Sequence, residues 1–584
     1  MLDALEVNRA YLMRLDPDRL LHMFRLTAGL PSAAQPLGGW EAPDNELRGH
    51  FTGHYLSACA LLAAQTGDAP VRERGIHIAA ELAKCQTAIG TGYLSAFPVE
   101  LFERLRAGKP AWAPFYTLHK IMAGLLDTHT LSRDSAALDT LLGMAHWTEH
   151  WVQPLDDAAM ARVLEREYGG MNEVLYNLAA VTKEPRWAVL AQRFDKQRLI
   201  APLAAGRDEL QGLHVNTTIP QVIGAARGFE VSAERRLHDV ALFFWQTVAQ
   251  RRTYCTGGTS NGESWNTAPD QLAHELSGYT QESCCTYNML KLTRLLFGWT
   301  ADVRMADYYE RALYNGILGV QHPADGEKLY YLPLAGGYWK LFGTPLEDFW
   351  CCTGSMAESF SKLGDSIYFR DEAGVYVNLF VSSELDWRER GIRLVLDTRF
   401  PEEDLLHLHV HSVRRTKMAV RIRVPFWSAG ASAWLNGRPL AQRADPGSYL
   451  SIEREWSGHD AVTVRLPMRL HIAAMPDDAT TQAVMYGPLV LAGRLGSAGL
   501  NVDNLRAEPT RPRKVPEYRS EPAPVPAITA SSDDPARWLE AIAGRQLEFR
   551  TLGQPTPLAF VPLNRLFDER FAVYWKVAPP SAPA

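Results

Sequence analysis

Two short segments far apart in the chain concentrate residues suited to holding a metal: Glu282-Ser283-Cys284-Cys285 and Cys351-Cys352. Thiolates with one carboxylate suit Zn2+, which takes sulfur and oxygen donors tetrahedrally. Neighbouring cysteines rarely bond each other. The seven cysteines of the chain are an odd count that does not read as a disulfide framework. Both segments open predicted helices, and a helix N-terminus favours the ionised thiol. Three readings of these residues stay open. They can be ordinary small core residues. They can close a structural metal site, the usual result when four protein ligands meet. Or the centre can be catalytic.

A second feature is the glycine-rich segment CTGGTSNGESWN (255–266), which presents Glu263 beside Trp265. A carboxyl group held against an aromatic ring tends to have a raised pKa, as a general acid needs. On this feature alone an exposed loop glutamate is the simpler reading. A third feature is a set of polar and aromatic residues at the first turns of other predicted helices: Trp40, Glu41 and His50; His119; Asn172 and Glu173; His214 and Asn216. Tyr331 and Trp339, from LYYLPLAGGYWKLF, join them. Aromatic rings and hydrogen-bonding groups converging on one pocket fit a sugar site. Singly, each histidine is better explained as a satisfied structural residue; their shared placement in the repeat is what points to a pocket.

The elements that must position these groups fall into two classes. Helical periodicity dominates the first two-thirds of the chain. Six segments share a polar or aromatic start, a small-residue-rich apolar helix and a charged turn: residues 53–68, 116–134, 169–185, 214–230, 282–299 and 351–366. Amphipathic helices such as ERRLHDVALFFWQTVAQ (234–250) follow most of them. A helix pair repeated six times predicts an (α/α)6 barrel with the small, apolar helices inside. An open solenoid is the alternative. Closure is preferred because it gathers the polar first turns into one pocket. We place this barrel at 1–370. After it, period-two alternation in VYVNLFVSS, LHLHVHS, MAVRIRVPFW and DAVTVRLP predicts a β-sandwich at 371–472. A β-rich region at 473–584 follows, interrupted by an irregular proline-rich stretch (508–529) and ending in a disordered tail, APPSAPA.

Bulk properties narrow the function. With 584 residues, 46% hydrophobic, 22% charged and a net charge of −6, the chain reads as an ordinary multidomain globular protein. No basic face points to nucleic acid, and no apolar run is long enough to span a membrane. The first residues lack the pattern of a secretion signal. The compartment stays open between the cytoplasm and export with the signal already removed.

The segments NRAYLMRLDPDRLLHMFR, GGWE, RGHFTGHYLSA, TGGTSNGESW, QESCCTYNMLKL and FWCCTGSMAES, together with FAVYWK near the end, resemble the β-L-arabinofuranosidases of glycoside hydrolase families 127 and 146, especially 146. The resemblance implies an (α/α)6 barrel followed by β-sandwich domains. It also implies a retaining, exo-acting release of terminal β-L-arabinofuranose from plant-type arabinan or glycoprotein glycans. By motif, Glu282, Cys284, Cys351 and Cys352 would hold zinc, Cys351 would be the nucleophile and Glu263 the acid/base; Cys285 has no assigned role. Where family 127 has a histidine near Gly170, this chain reads GGMNE, so Asn172 or Glu173 is the expected substitute. A free thiol ionises only near pH ~8.5, and zinc would remove its proton at neutral pH. The alternatives are a lyase or epimerase on the same barrel, or a glycan-binding scaffold, each with a structural zinc.

Overall fold

The computed structural model describes residues 1–508, 515–530 and 532–579. Residues 509–514 of the proline-rich stretch and 580–584 of the tail lie outside the described residues. Residues 515–527 form neither helix nor strand, in keeping with the proline content.

Six inner helices form the barrel: His50–Thr66, Pro114–Ser132, Met171–Thr182, Val215–Ser232, Ser283–Thr300 and Cys351–Ser361. Each packs on the next, and Cys351–Ser361 packs back on His50–Thr66, so the ring closes. The outer helices Ala69–Ile89, Ser135–Val152, Pro185–Arg193, Arg235–Arg251 and Val303–Ala312 each back an inner one. The N-terminal helix Leu2–Arg14 packs behind Cys351–Ser361 and completes the sixth pair. The inner helices are buried almost all round, as in His50–Thr66 and Cys351–Ser361. Small residues allow that crowding. A β-carbon on Gly354 would lie 2.2 Å from the His54 ring, so the CCTG turn packs against the first inner helix only as glycine. Outer helices start at aspartate caps: Asp68 accepts the Val71 N–H at 3.0 Å, and Asp134 the Ala136 N–H at 2.8 Å.

The strands that follow form two sheets. In the first, of eight strands, the long strands Leu405–Val424 and Ser448–Arg465 pair antiparallel, with a register shift between Ser412 and Thr416. Along one edge, the first half of Leu405–Val424 pairs with Ile392–Thr398 and its second half with Gly374–Val377. Alternation places Leu406, Leu408 and Val410 in this sheet's own core. Arg423, fully buried, ties the sheet to the barrel: it pairs with Asp307 at 2.5 Å and with Glu310 of the Val303–Ala312 helix. The second sheet, of nine strands from Leu470 to Ala578, shares the barrel's core through Met475, Val490 and Phe571.

Candidate functional site

Two neighbouring inner helices deliver the cysteines. Glu282 sits at the N-cap of Ser283–Thr300, with Cys284 and Cys285 in its first turn; Cys351 and Cys352 open the helix Cys351–Ser361. Glu282 Oε1 lies 3.8 Å from the Cys351 sulfur and 3.7 Å from that of Cys352. The Cys351 and Cys352 sulfurs are 3.9 Å apart, and those of Cys284 and Cys352 3.2 Å. One donor atom from each of the four residues lies within 4.8 Å of the others, and all four residues are buried. No other group among the described residues meets that description.

The donor set fits a tetrahedral metal ion. Bond lengths of about 2.3 Å to sulfur and 2.0 Å to oxygen imply edges of about 3.8 Å between sulfurs and 3.5 Å between sulfur and oxygen. Three of the four separations match; the Cys284–Cys352 contact must open by about half an ångström. The electrostatics point the same way. Burial pushes the Glu282, Cys284 and Cys352 groups well above their ordinary pKa ranges. Burial also works to raise Cys351, but its hydrogen-bonding contacts with Cys284, Cys352 and Tyr330 outweigh it and hold that thiol well below its usual range. Glu282, Cys284 and Cys352 therefore keep their protons without a cation beside the ionised Cys351, and a bound cation would displace them. Cys285 points to the far oxygen of the same carboxylate, 3.3 Å from Glu282 Oε2, and so steadies Glu282.

Glu263 approaches from a loop held in an unusual shape. Its backbone lies in the left-handed region at φ +72°, which costs about 1 kcal/mol or more in a residue with a side chain. Its carbonyl accepts the Val215 N–H at 2.8 Å. Its side chain, 28% exposed, accepts a hydrogen bond from the Tyr330 hydroxyl at Oε1 and lies 3.8 Å from His214 Nε2 at Oε2. The same Tyr330 hydroxyl is 3.7 Å from the Cys351 sulfur. The Tyr330 hydroxyl thus stands between the Glu263 carboxylate and the Cys351 sulfur. The expected neighbour, Trp265, turns the other way. It is buried in the helical core, edge-on to Phe244, with its N–H on Thr259 at 2.8 Å.

Around this centre stand Trp40, His50 and Tyr331. Trp40 is edge-on to Tyr330 at 6.2 Å, and Tyr331 packs on Tyr330 at 4.6 Å. Glu41 caps the first inner helix through the Gly49 and Phe51 N–H groups and holds His50 Nδ1 at 2.8 Å. That leaves His50 Nε2 buried with no hydrogen-bond partner among the described residues. One turn along, His54 binds Glu358 at 2.5 Å and faces the Tyr116 hydroxyl at 3.4 Å.

Other expected contacts are placed elsewhere. Asn172 is fully buried, its amide given to Asp195 and to the Gln221 carbonyl at 3.0 Å each, which commits it to neighbouring helices. Glu173 pairs with Lys291 at 2.6 Å, and His119 accepts the Gly170 N–H at 3.2 Å. Both line a separate cavity within the barrel, alongside Asp127 and Glu358. A side chain at Gly170 would strike the His119 ring at 2.5 Å. Asn216 accepts from Asn288 at 2.9 Å. Trp339 is buried, with its N–H on the Asn504 carbonyl at 2.7 Å, and belongs to the scaffold. Tyr330 and His54 escaped the sequence reading. Only their adjacency to Tyr331 and His50 signalled them.

A family model described as the β-L-arabinofuranosidase GH127 catalytic domain matches residues 1–365. The chain belongs to that family. The GH127 middle domain matches residues 374–468, and a domain of unknown function matches 471–577. Among solved structures, a GH127 β-L-arabinofuranosidase from Geobacillus stearothermophilus T6 is 17% identical, with a TM-score of 0.73, covering 97% of this chain and 95% of that one. A second structure, a GH127 β-arabinofuranosidase, is 16% identical with a TM-score of 0.71, covering 98% and 95%. At these identities the two structures speak for the shared fold. No curated protein sequence matches the chain. The protein is a GH127 glycoside hydrolase acting on glycans, which sets aside the lyase, epimerase and scaffold alternatives. No helix among the described residues is long and apolar enough to cross a membrane.

Proposed function

We propose that the protein releases terminal β-L-arabinofuranose with retention, with Cys351 as nucleophile, Glu263 as acid/base, and zinc held by Glu282, Cys284, Cys351 and Cys352. The observation that carries this reading is the Tyr330 hydroxyl in contact with both Glu263 and Cys351. Family membership supports the arabinofuranoside specificity. Zinc, when bound, supplies the charge that keeps the thiols ionised at neutral pH.

The residues of the chain carry the steps. The Cys351 sulfur attacks the anomeric carbon, forming a C–S bond as the glycosidic C–O bond breaks. The leaving oxygen takes the proton of Glu263. Water then attacks the same carbon, Glu263 takes a proton from it, and the C–S bond breaks to restore the thiolate. Two inversions return the β configuration. His50 Nε2, buried and without a partner, is placed to accept a sugar hydroxyl. Tyr330 orients Glu263, and Trp40 packs edge-on against the Tyr330 ring.

The test is release of L-arabinose from paired β- and α-linked arabinofuranosyl aryl glycosides, with and without a chelator. Cleavage of the β-linked substrate, β-arabinofuranose as first product, and loss on chelation with recovery on added zinc are expected. Cleavage of the α-linked substrate alone, or full activity after complete metal removal, contradicts the reading.

A further inference from the structure

The segment LHLHVHS sets three histidines at alternate positions of one strand, and the catalytic reading uses none of them. In the strand Leu405–Val424, Leu406, Leu408 and Val410 point into the core, so His407, His409 and His411 stand on the opposite, outer face. The paired strand Ser448–Arg465 brings a fourth: His459 lies directly across from His411 in the register. The rings of His411 and His459 are 4.6 Å apart, and the ring of His409 lies 5.4 Å from that of His459. These three have no hydrogen-bond partner among the described residues, and Nδ1 of His409 is buried in that state. His407 differs, since its Nδ1 meets Thr463 Oγ1 at 3.2 Å.

We propose that His409, His411 and His459 bind a divalent transition-metal ion such as Zn2+ on the outer face of this sheet, at a site separate from the cysteine centre in the barrel. Neutral imidazole is a common zinc ligand, and three protein ligands leave the fourth position to water. A Zn–N bond of about 2.1 Å places ring centres about 3.2 Å from the metal and, at tetrahedral angles, about 5 Å apart. The two measured separations lie on either side of that value. His409 and His411, two residues apart, are about 6.7 Å from each other along the strand, a gap that one ion between their rings spans. As the rings stand, their donor nitrogens do not all lie within 4.8 Å of one another, so binding requires them to turn about the Cβ–Cγ bond. That torsion is broad, and His459 is exposed while His409 and His411 are half-buried, which leaves room for the turn. Arg393, the cation on the other flank of His411, gives its guanidinium to both oxygens of Glu384 at 2.6 and 2.7 Å. Burial, then the charges of His459, Arg393 and His409, hold His411 below its ordinary pKa and favour the neutral, ligating ring.

The experiment titrates Zn2+ by isothermal calorimetry into the full, untagged chain preloaded with one equivalent of Zn2+. A further equivalent is expected to bind. His411→Ala and His459→Ala should each weaken that binding about tenfold or more, whereas His407→Ala, on the same face but held by Thr463, should leave it unchanged. Zn2+ added to the preloaded protein should raise the Tm of the wild type and of His407→Ala but not that of the other two variants. All three substitutions lie on the outer face of the sheet, so initial rates on an aryl β-L-arabinofuranoside should match the wild type, and a loss of binding with the rate kept is a loss of the site rather than of the fold. No zinc bound beyond the first equivalent would overturn the proposal. So would a further equivalent held as tightly in His411→Ala and His459→Ala as in the wild type, or one weakened to the same extent by His407→Ala.

Discussion

Replacing Tyr330 by phenylalanine removes one hydroxyl and little else. The ring stays edge-on to Trp40 at 6.2 Å and Trp350 at 5.7 Å, and packed on Tyr331 at 4.6 Å, so the aromatic packing around the centre should persist. The lost oxygen donates to Glu263 Oε1 and lies 3.7 Å from the Cys351 sulfur. Hydrogen bonds to charged groups contribute about 1.5–3 kcal/mol. If that interaction is made fully only when both groups are aligned for reaction, kcat should fall about 10–100-fold with KM little changed. Initial rates on an aryl β-L-arabinofuranoside measure this. Metal content is measured in parallel, because Tyr330 is not in the donor set and the variant should keep its ion. A fall of less than about threefold in kcat would refute the idea that this hydroxyl aligns acid and nucleophile. A larger fall accompanied by metal loss would show that the residue acts on the metal centre instead.

Cys351→Ser and Cys352→Ser should both weaken metal binding, read by elemental analysis, but an arabinofuranose-type electrophile should label Cys351 alone in the wild type, read by peptide mass mapping. Glu263→Gln should lose least activity on aryl glycosides with acidic phenols, which need little protonation; equal loss across leaving groups would remove its role as acid in the first step. Arg423→Met leaves Asp307 and Glu310 buried without their partner and should cost about 3–5 kcal/mol, seen as a lower urea midpoint. His54, held down at about 4 chiefly by burial and then by Lys120, stays neutral in the fold, whereas the unfolded chain takes up the proton near pH ~6.5. Stability should therefore fall between about pH 6.5 and 4, by about 3 kcal/mol, and His54→Asn should flatten that slope in thermal melts.

How much of this was legible in the sequence depended on how local the physics is. The barrel was legible because an inner helix must be apolar and small all round, whereas an outer one need be apolar on one face. That contrast, repeated six times, survives as a pattern. The metal group was legible because paired cysteines at two helix starts have few other uses, and the first turns of adjacent inner helices meet when the ring closes. The partners of Glu263 were not. Trp265 is two residues away in the chain, yet the left-handed turn at Glu263 sends one side chain to the centre and the other into the core. The group that does meet the carboxylate, Tyr330, is 67 residues later and arrives through the tertiary fold. The same limit explains Asn172 and Glu173. They occupy a first turn, as Cys351 and Cys352 do, but each helical residue turns its side chain by about 100° from the last. Asn172 therefore meets the neighbouring helix at Gln221, and Glu173 reaches Lys291 in the separate cavity. A position at a helix start fixes which end of the barrel a residue belongs to. Which way it faces there is set by the packing of the neighbouring helices, as Asn172 and Glu173 show.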